Sequence, residues 1–167
     1  TGGEYAERRR ACEAAAKALG VKALRDATMA DLERAKGSVD DTTFRRARHV
    51  IGENERTLRA AEALRTRDWA TMGRLMRESH DSLSRDFEVS TPELDRLVEL
   101  AYSHAPHVIG SRMTGGGFGG CTVSLVRADQ AEGVGNEIAT AYKNTTGKDA
   151  TVFVTRPSQG ARVLPLG

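Results

Sequence analysis

Between Thr114 and Cys121 the chain reads Gly115-Gly116-Gly117-Phe118-Gly119-Gly120, five glycines in six positions, and a strand-like run follows at once. Glycine loses more backbone freedom on folding than any other residue, so such a cluster belongs where the chain needs positive φ or where a backbone or ligand comes very close. Successive N–H groups in such a loop make an anion-receiving nest; the bland use of the same residues is a tight turn with no ligand. Three nucleotide chemistries share parts of the pattern, and each lacks a piece. Gly115, Gly117 and Gly120 satisfy G-x-G-x-x-G, but that motif opens a helix in a dinucleotide fold, whereas Cys121 to Val126 is strand chemistry. No Gly-Lys-Ser/Thr closes the loop to supply a phosphate lysine and a magnesium hydroxyl. Gly117-Phe118-Gly119 matches the centre of an RNA-recognition signature, yet stacking bases takes several aromatics, and Gly120 stands where the second ring belongs.

Other residues have types that do chemistry. Arg112 and Thr114 flank the loop and either reach a phosphate or tie the loop to neighbouring strands, the commoner use of surface Arg and Thr. Tyr5 either presents a free phenol to a hydroxyl or begins an apolar stripe. His80, near the seam of Met76, Leu83 and Phe87, reads as a hydrogen-bonded structural histidine before a proton carrier. Asn54 reads as a satisfied polar core residue. Arg8-Arg9-Arg10 and Arg45-Arg46-Ala47-Arg48 read as solvated helix faces paired with Glu three or four residues away. Cys121 reads as a small apolar residue opening a buried strand.

The elements that position these groups follow from periodicity. Helices are expected over Glu4–Leu19, closed by Gly20, and over Met29–Lys36, capped by Thr28. The longest runs from Thr42 to Arg65, with Phe44, Ala47, Ile51, Leu58 and Ala61 on its apolar face. Asp68 caps the next, whose stripe is Trp69, Met72, Met76, Leu83 and Phe87, and Thr91-Pro92-Glu93 opens another. Past Pro106, Val108–Met113, Cys121–Val126 and Thr151–Thr155 read as strands, Ala128–Asn144 as a helix, and Arg162–Leu166 as one more strand.

At 167 residues, 39% hydrophobic and 29% charged, the chain suits a globular domain with one substantial core. A formal charge of +2, from 25 basic and 23 acidic side chains, is too balanced for a chain whose main task is holding nucleic acid or an anionic membrane. Cys12 and Cys121 give no disulfide framework or zinc site, and a reducing, cytoplasmic setting fits. No apolar stretch approaches the ~20 residues of a membrane span, and no charged-then-apolar leader opens the chain. The first residue is Thr1 rather than Met, as in a piece of something longer.

The stretch Gly110-Ser-Arg-Met-Thr-Gly-Gly-Gly-Phe-Gly-Gly-Cys-Thr-Val-Ser-Leu-Val126 resembles the third signature motif of the galactokinases, within the GHMP family of small-molecule kinases. Glu4-Tyr5 with Arg8-Arg9 and Cys12-Glu13, Phe44 to Val50, Glu78 to Leu83 and Glu88 to Asp95 resemble the same family in the same order, so the likeness runs from Gly2 nearly to the end.

That resemblance implies an α+β fold, a helical layer packed on a ferredoxin-like antiparallel sheet, as one GHMP kinase C-terminal domain over 1–167, with 1–105 mainly helical and 106–167 α+β. It implies that the intact protein, a monomer, moves the γ-phosphoryl group of MgATP to the anomeric hydroxyl of galactose, giving galactose 1-phosphate for the Leloir route. ATP and Mg2+ would be bound mainly by an N-terminal GHMP domain. The family's sugar-binding segment, Gly-Leu-Ser-Ser-Ser phosphate loop, magnesium ligands and catalytic Asp with its partner Arg are not found in these residues, so no catalytic and no metal residue is assigned here. Tyr5 matches a sugar-contacting tyrosine; Gly115 to Gly120 would lie beside the phosphate loop and sugar. The fragment alone is expected to be inactive, with an exposed apolar surface where its partner domain sits. The alternative is a catalytically silent sensor of the same family that binds sugar and ATP without turnover.

Overall fold

Small side chains at Ala11, Ala15 and Ala16 let helix α1 (Gly2–Ala18) lie close against α3 (Asp41–Thr66), and Phe44, Ala47 and Ile51 of α3 close one apolar cluster with Leu24 and Leu32. Leu32 belongs to the short helix α2 (Met29–Arg34). The molecule is described by a computed structural model covering residues 2–158 and 160. Then follow α4 (Trp69–Arg85), α5 (Pro92–Tyr102), the strands β1 (Val108–Thr114) and β2 (Cys121–Val126), and α6 (Ala131–Thr146).

Helix starts are set by local chemistry. Thr28 and Asp31 form a reciprocal capping box on α2, Asp40 and Asp68 accept from the Thr43 and Thr71 amides, and Thr91 caps α5 with Pro92 in its first turn. The capping N–H groups of Thr43 and Thr71 hold the Asp40 and Asp68 carboxyls below the usual carboxylate range. The longest helix departs from the expected stripe. Its contribution to the cluster stops at Ile51, Asn54 and Ala61 are exposed, and Leu58 is 75% exposed. Asn54 is therefore a surface residue and not a core one: periodicity located a face of the helix, and packing covers only the first half of it.

β1 and β2 pair antiparallel from Thr114↔Cys121 to Val108↔Val126, with an irregularity at Ile109. β1's other edge is satisfied by side chains. Tyr102 Oη donates to Ser111 O and accepts from Ser111 N, both at 3.1 Å, and the Met113 amide donates to His80 Nδ1 at 3.2 Å. His80 thus has the expected structural role, its Nε2 facing Asp95 Oδ1 at 3.2 Å. Burial pushes its pKa down, against the pull of Asp95.

The fold is α+β, with two paired strands among the described residues. Thr151–Thr155 is not a strand. The segment carries no regular secondary structure and has no ladder partner among the described residues, and Phe153 is 84% exposed while Val152 rests on α6 at Gly135. Arg162–Leu166 lies outside the described residues. Cys121 is exposed rather than buried, because no element among the described residues covers that end of β2. No helix among the described residues is long and apolar enough to cross a membrane.

Candidate functional site

The glycine run connects β1 to β2 as a loop, and its residues divide into two kinds. A Cβ on Gly117 would collide with the Val89 carbonyl oxygen and lie 2.6 Å from Val89 Cβ, so this position is packed. Around Gly115, Gly116, Gly119 and Gly120 a Cβ would meet nothing within 4 Å. Phe118 donates its amide to Val89 O at 2.7 Å, and its ring packs with Leu83, Val89, Leu94 and Met113. The amides of Gly115, Gly116, Gly117, Gly119 and Gly120 have no partner among the described residues, which is what an anion-receiving nest requires.

Arg8 joins this loop to α1. Its guanidinium carbon lies 5.0 Å from the centre of the Phe118 ring, and its edge donates to the carbonyls of Phe87 (3.1 Å) and Glu88 (2.6 Å). Tyr5, three residues earlier on the same helix, is 70% exposed, so its phenol is free and it is not part of the apolar stripe. Arg8 and Phe118 are thereby brought together beside the glycine run, with Tyr5 one helical turn before Arg8 on α1. Thr114 is exposed at the loop's root, paired with Cys121. Arg112 turns toward the helical layer, 4.0 Å from Glu53 Oε2, with its Nε buried and unpartnered among the described residues.

The arginine runs are solvated only in part: Arg9 and Arg10 are exposed. Arg8 and Arg46 are buried, and Arg46 meets Glu7 at 2.9 Å and Glu88 at 3.6 Å, partners about 40 positions away. Arg48 pairs with Asp86, while Arg9 with Glu13 keeps the expected four-residue spacing, as does Arg45 with the carboxylate of Asp41. Reading by spacing missed Arg8 as a site residue. The usable signal was its position three and seven residues before Ala11 and Ala15, on the face that packs.

A second polar group sits deeper. His49 is stacked on Phe87 at 4.5 Å and bonded through Nδ1 to Ser82 Oγ at 3.0 Å, and Ser82 donates to Asp86 Oδ2. Burial is the main cause that lowers His49 to about 4, and the Arg56 and Arg112 charges push the same way while Glu53 and Asp86 pull it up. Its native form is neutral. As pH falls below 6.5 the unfolded chain takes up this proton first, so stability is lost between pH 6.5 and about 4 and is unaffected by this group above that range. We expect a loss on the order of 3 kcal/mol across that window, read as falling urea midpoints, and a flatter profile in His49→Gln. Equal slopes in the two proteins would remove His49 from the acid response.

A groove of about 610 Å3 between α1 and α3, lined among others by Cys12, Ala16, Lys17, Val21 and Asn54, contains none of Tyr5, Arg112 or the glycine run. No three His, Cys, Asp or Glu side chains converge among the described residues.

Comparison with known proteins agrees with the fold. Residues 60–144, about half of the chain, match the family model described as GHMP kinases C terminal. Galactokinase of Bos taurus is 52% identical over 161 residues, covering 96% of this chain and 40% of the relative. Galactokinase of Homo sapiens is 52% identical over 163 residues, covering 98% and 40%. That of Haemophilus influenzae is 46% identical over 165 residues, covering 97% and 43%. A crystal structure of Lactococcus lactis galactokinase complexed with galactose superposes with a TM-score of 0.83 at 33% identity, covering 89% of this chain and 39% of that one. The chain thus spans about 40% of the length of these relatives. It belongs to the GHMP kinase family, as a C-terminal domain of the galactokinase type.

Proposed function

We propose that the complete protein transfers the γ-phosphoryl group of ATP to the anomeric hydroxyl of galactose, and that this chain supplies one wall of the cleft. The observation that carries the reading is the split within the glycine run: Gly117 is fixed against Val89, whereas Gly115, Gly116, Gly119 and Gly120 border empty space. Gly115, Gly119 and Gly120 also have positive φ, which favours glycine by itself, but nothing inside this chain requires Gly116 to lack a side chain. A second lobe or a bound phosphate closing over it does, and the free amides of the loop are donors for an anion. Tyr5 then faces the sugar from α1.

The proton and metal chemistry is assigned to the portion outside this chain. With no convergent carboxylates among the described residues, the donor set here does not fit Mg2+, and no step through the ion rests on these residues. What remains for this chain is positioning, which suits phosphoryl transfer, where orientation and charge stabilisation do most of the work.

Galactose-dependent ADP release by the complete protein tests this, with Gly116→Ala beside the parent. Gly116 has ordinary backbone geometry and no neighbour, so stability should change by no more than about 0.5 kcal/mol. Turnover should fall at least tenfold, because a methyl group on the empty side obstructs closure. The 167-residue chain alone should release no ADP. Full activity in Gly116→Ala, or turnover by the chain alone, would refute the cleft-wall reading, and binding of galactose and ATP without ADP release would identify a sensor instead.

A further inference from the structure

We infer that Arg8 is a positioning residue that holds the tip of the glycine run in shape, by gripping the loop and the turn that receives it at the same time. Phe118 and Glu88 are non-glycine residues in the left-handed region, at φ 61 and φ 56, and they sit on the two segments that meet. Residues in that region persist only where their surroundings hold them, and such strain collects at functional sites. Both are held by the same guanidinium. Its Nε and Nη2 fix the 87–88 turn through the Phe87 and Glu88 carbonyls, and its carbon lies over the Phe118 ring. The turn so fixed offers Val89 O to the Phe118 amide and presents the Val89 side chain on which Gly117 rests.

Only arginine can do this. Its planar fork donates along the edge while the face stays free to stack, whereas an ammonium offers a point charge and no plane. Arg8 is 9% exposed and Glu7 Oε2 lies 3.7 Å from its Nη1, so the guanidinium is not released to water. Arg45 at 3.1 Å and Arg46 at 3.6 Å hold the Glu88 carboxylate from α3, leaving the backbone of that residue to Arg8. Because Tyr5 stands on the same helix one turn earlier, the grip also sets the spacing between the phenol and the loop. Its effect on turnover rests on the kinase reading above; its effect on the loop does not.

The test uses the complete protein and two readouts, amide exchange at position 118 and galactose-dependent ADP release. In Arg8→Lys we expect exchange of the Phe118 amide at least tenfold faster than in the parent, and kcat at least tenfold lower at a temperature where the variant is fully folded. Phe118→Leu, which keeps the carbonyl grip and removes the ring, should show the same changes at a few-fold. Leu32→Ala, in the separate cluster around α2, destabilises without touching the loop. It should leave both readouts at the parent's values under folded conditions. Unchanged exchange in Arg8→Lys, or equal acceleration in Leu32→Ala, would overturn the assignment and leave Arg8 a general core support. If the complete protein releases no ADP with galactose, the kinase reading falls, and exchange at position 118 still decides the grip.

Discussion

Gly73→Ala should be among the most destabilising single methyl additions in this chain, costing roughly 3–5 kcal/mol and lowering the urea midpoint accordingly, although alanine is the better helix former. The reason is the way α4 crosses the sheet. A Cβ on Gly73 would overlap the Ile109 carbonyl oxygen and lie 3.1 Å from its carbonyl carbon. The obstacle is backbone in a strand held by β2 on one side and by Tyr102 and His80 on the other, so it has no rotamer by which to move aside. Relief requires α4 and β1 to separate, which would uncover Met76, Leu83 and Met113. Gly110, on the facing strand, is the milder case. A Cβ there meets Met76 Sδ at 2.8 Å, the far end of a flexible thioether, though the Gly73 Cα lies 3.0 Å away. Gly133 in α6 has nothing within 4 Å, so Gly133→Ala should stabilise by about 0.5–1 kcal/mol, in line with helix propensity. Chemical denaturation of the three variants checks the order. If Gly73→Ala matched Gly133→Ala, the close crossing of α4 over β1 would be wrong.

What could be read ahead of the structure was what local chemistry decides. Thr28, Asp68 and Thr91-Pro92 announce helix starts because a cap needs only its own next three residues. Cys121–Val126 is a strand because β-branched residues follow a loop that cannot continue a helix. Contacts between distant segments left no such mark. Arg8 reaches carbonyls about 80 positions away, and a run of three arginines looks the same whether or not one of them is buried. Glu88 and Phe118 adopt conformations that their residue types do not favour, so only the structure around them reveals those positions. Leu58 and Thr151–Thr155 fail for a related reason. A helix face or a strand becomes buried only when a partner covers it, and periodicity describes one side of that contact. The glycine run was legible as a place where backbone geometry and space matter, but its division into one packed and four open positions needed coordinates.

That division yields the largest expected effect on activity. Gly117→Ala should lower galactose-dependent turnover of the complete protein at least 100-fold, the scale at which displacing a positioned group by about 1 Å is felt. Gly117 has φ +83, where an L side chain costs about 1–2 kcal/mol, and its new methyl would strike the Val89 carbonyl that receives the Phe118 amide. The two penalties act on one hydrogen bond: as the loop backs away from Val89, the Phe118 amide loses its acceptor and its ring slides off Arg8. Stability should fall by about 2–5 kcal/mol in the same variant, whereas Gly116→Ala, one residue earlier, should keep its stability and lose turnover alone. The pair therefore separates two roles inside one loop, with Gly117 holding the loop to its own domain and Gly116 leaving room for what closes over it. Thermal midpoints with ADP-release rates for both variants measure the distinction, and a Gly117→Ala protein with parental stability would show that Val89 yields and that the loop is not anchored there.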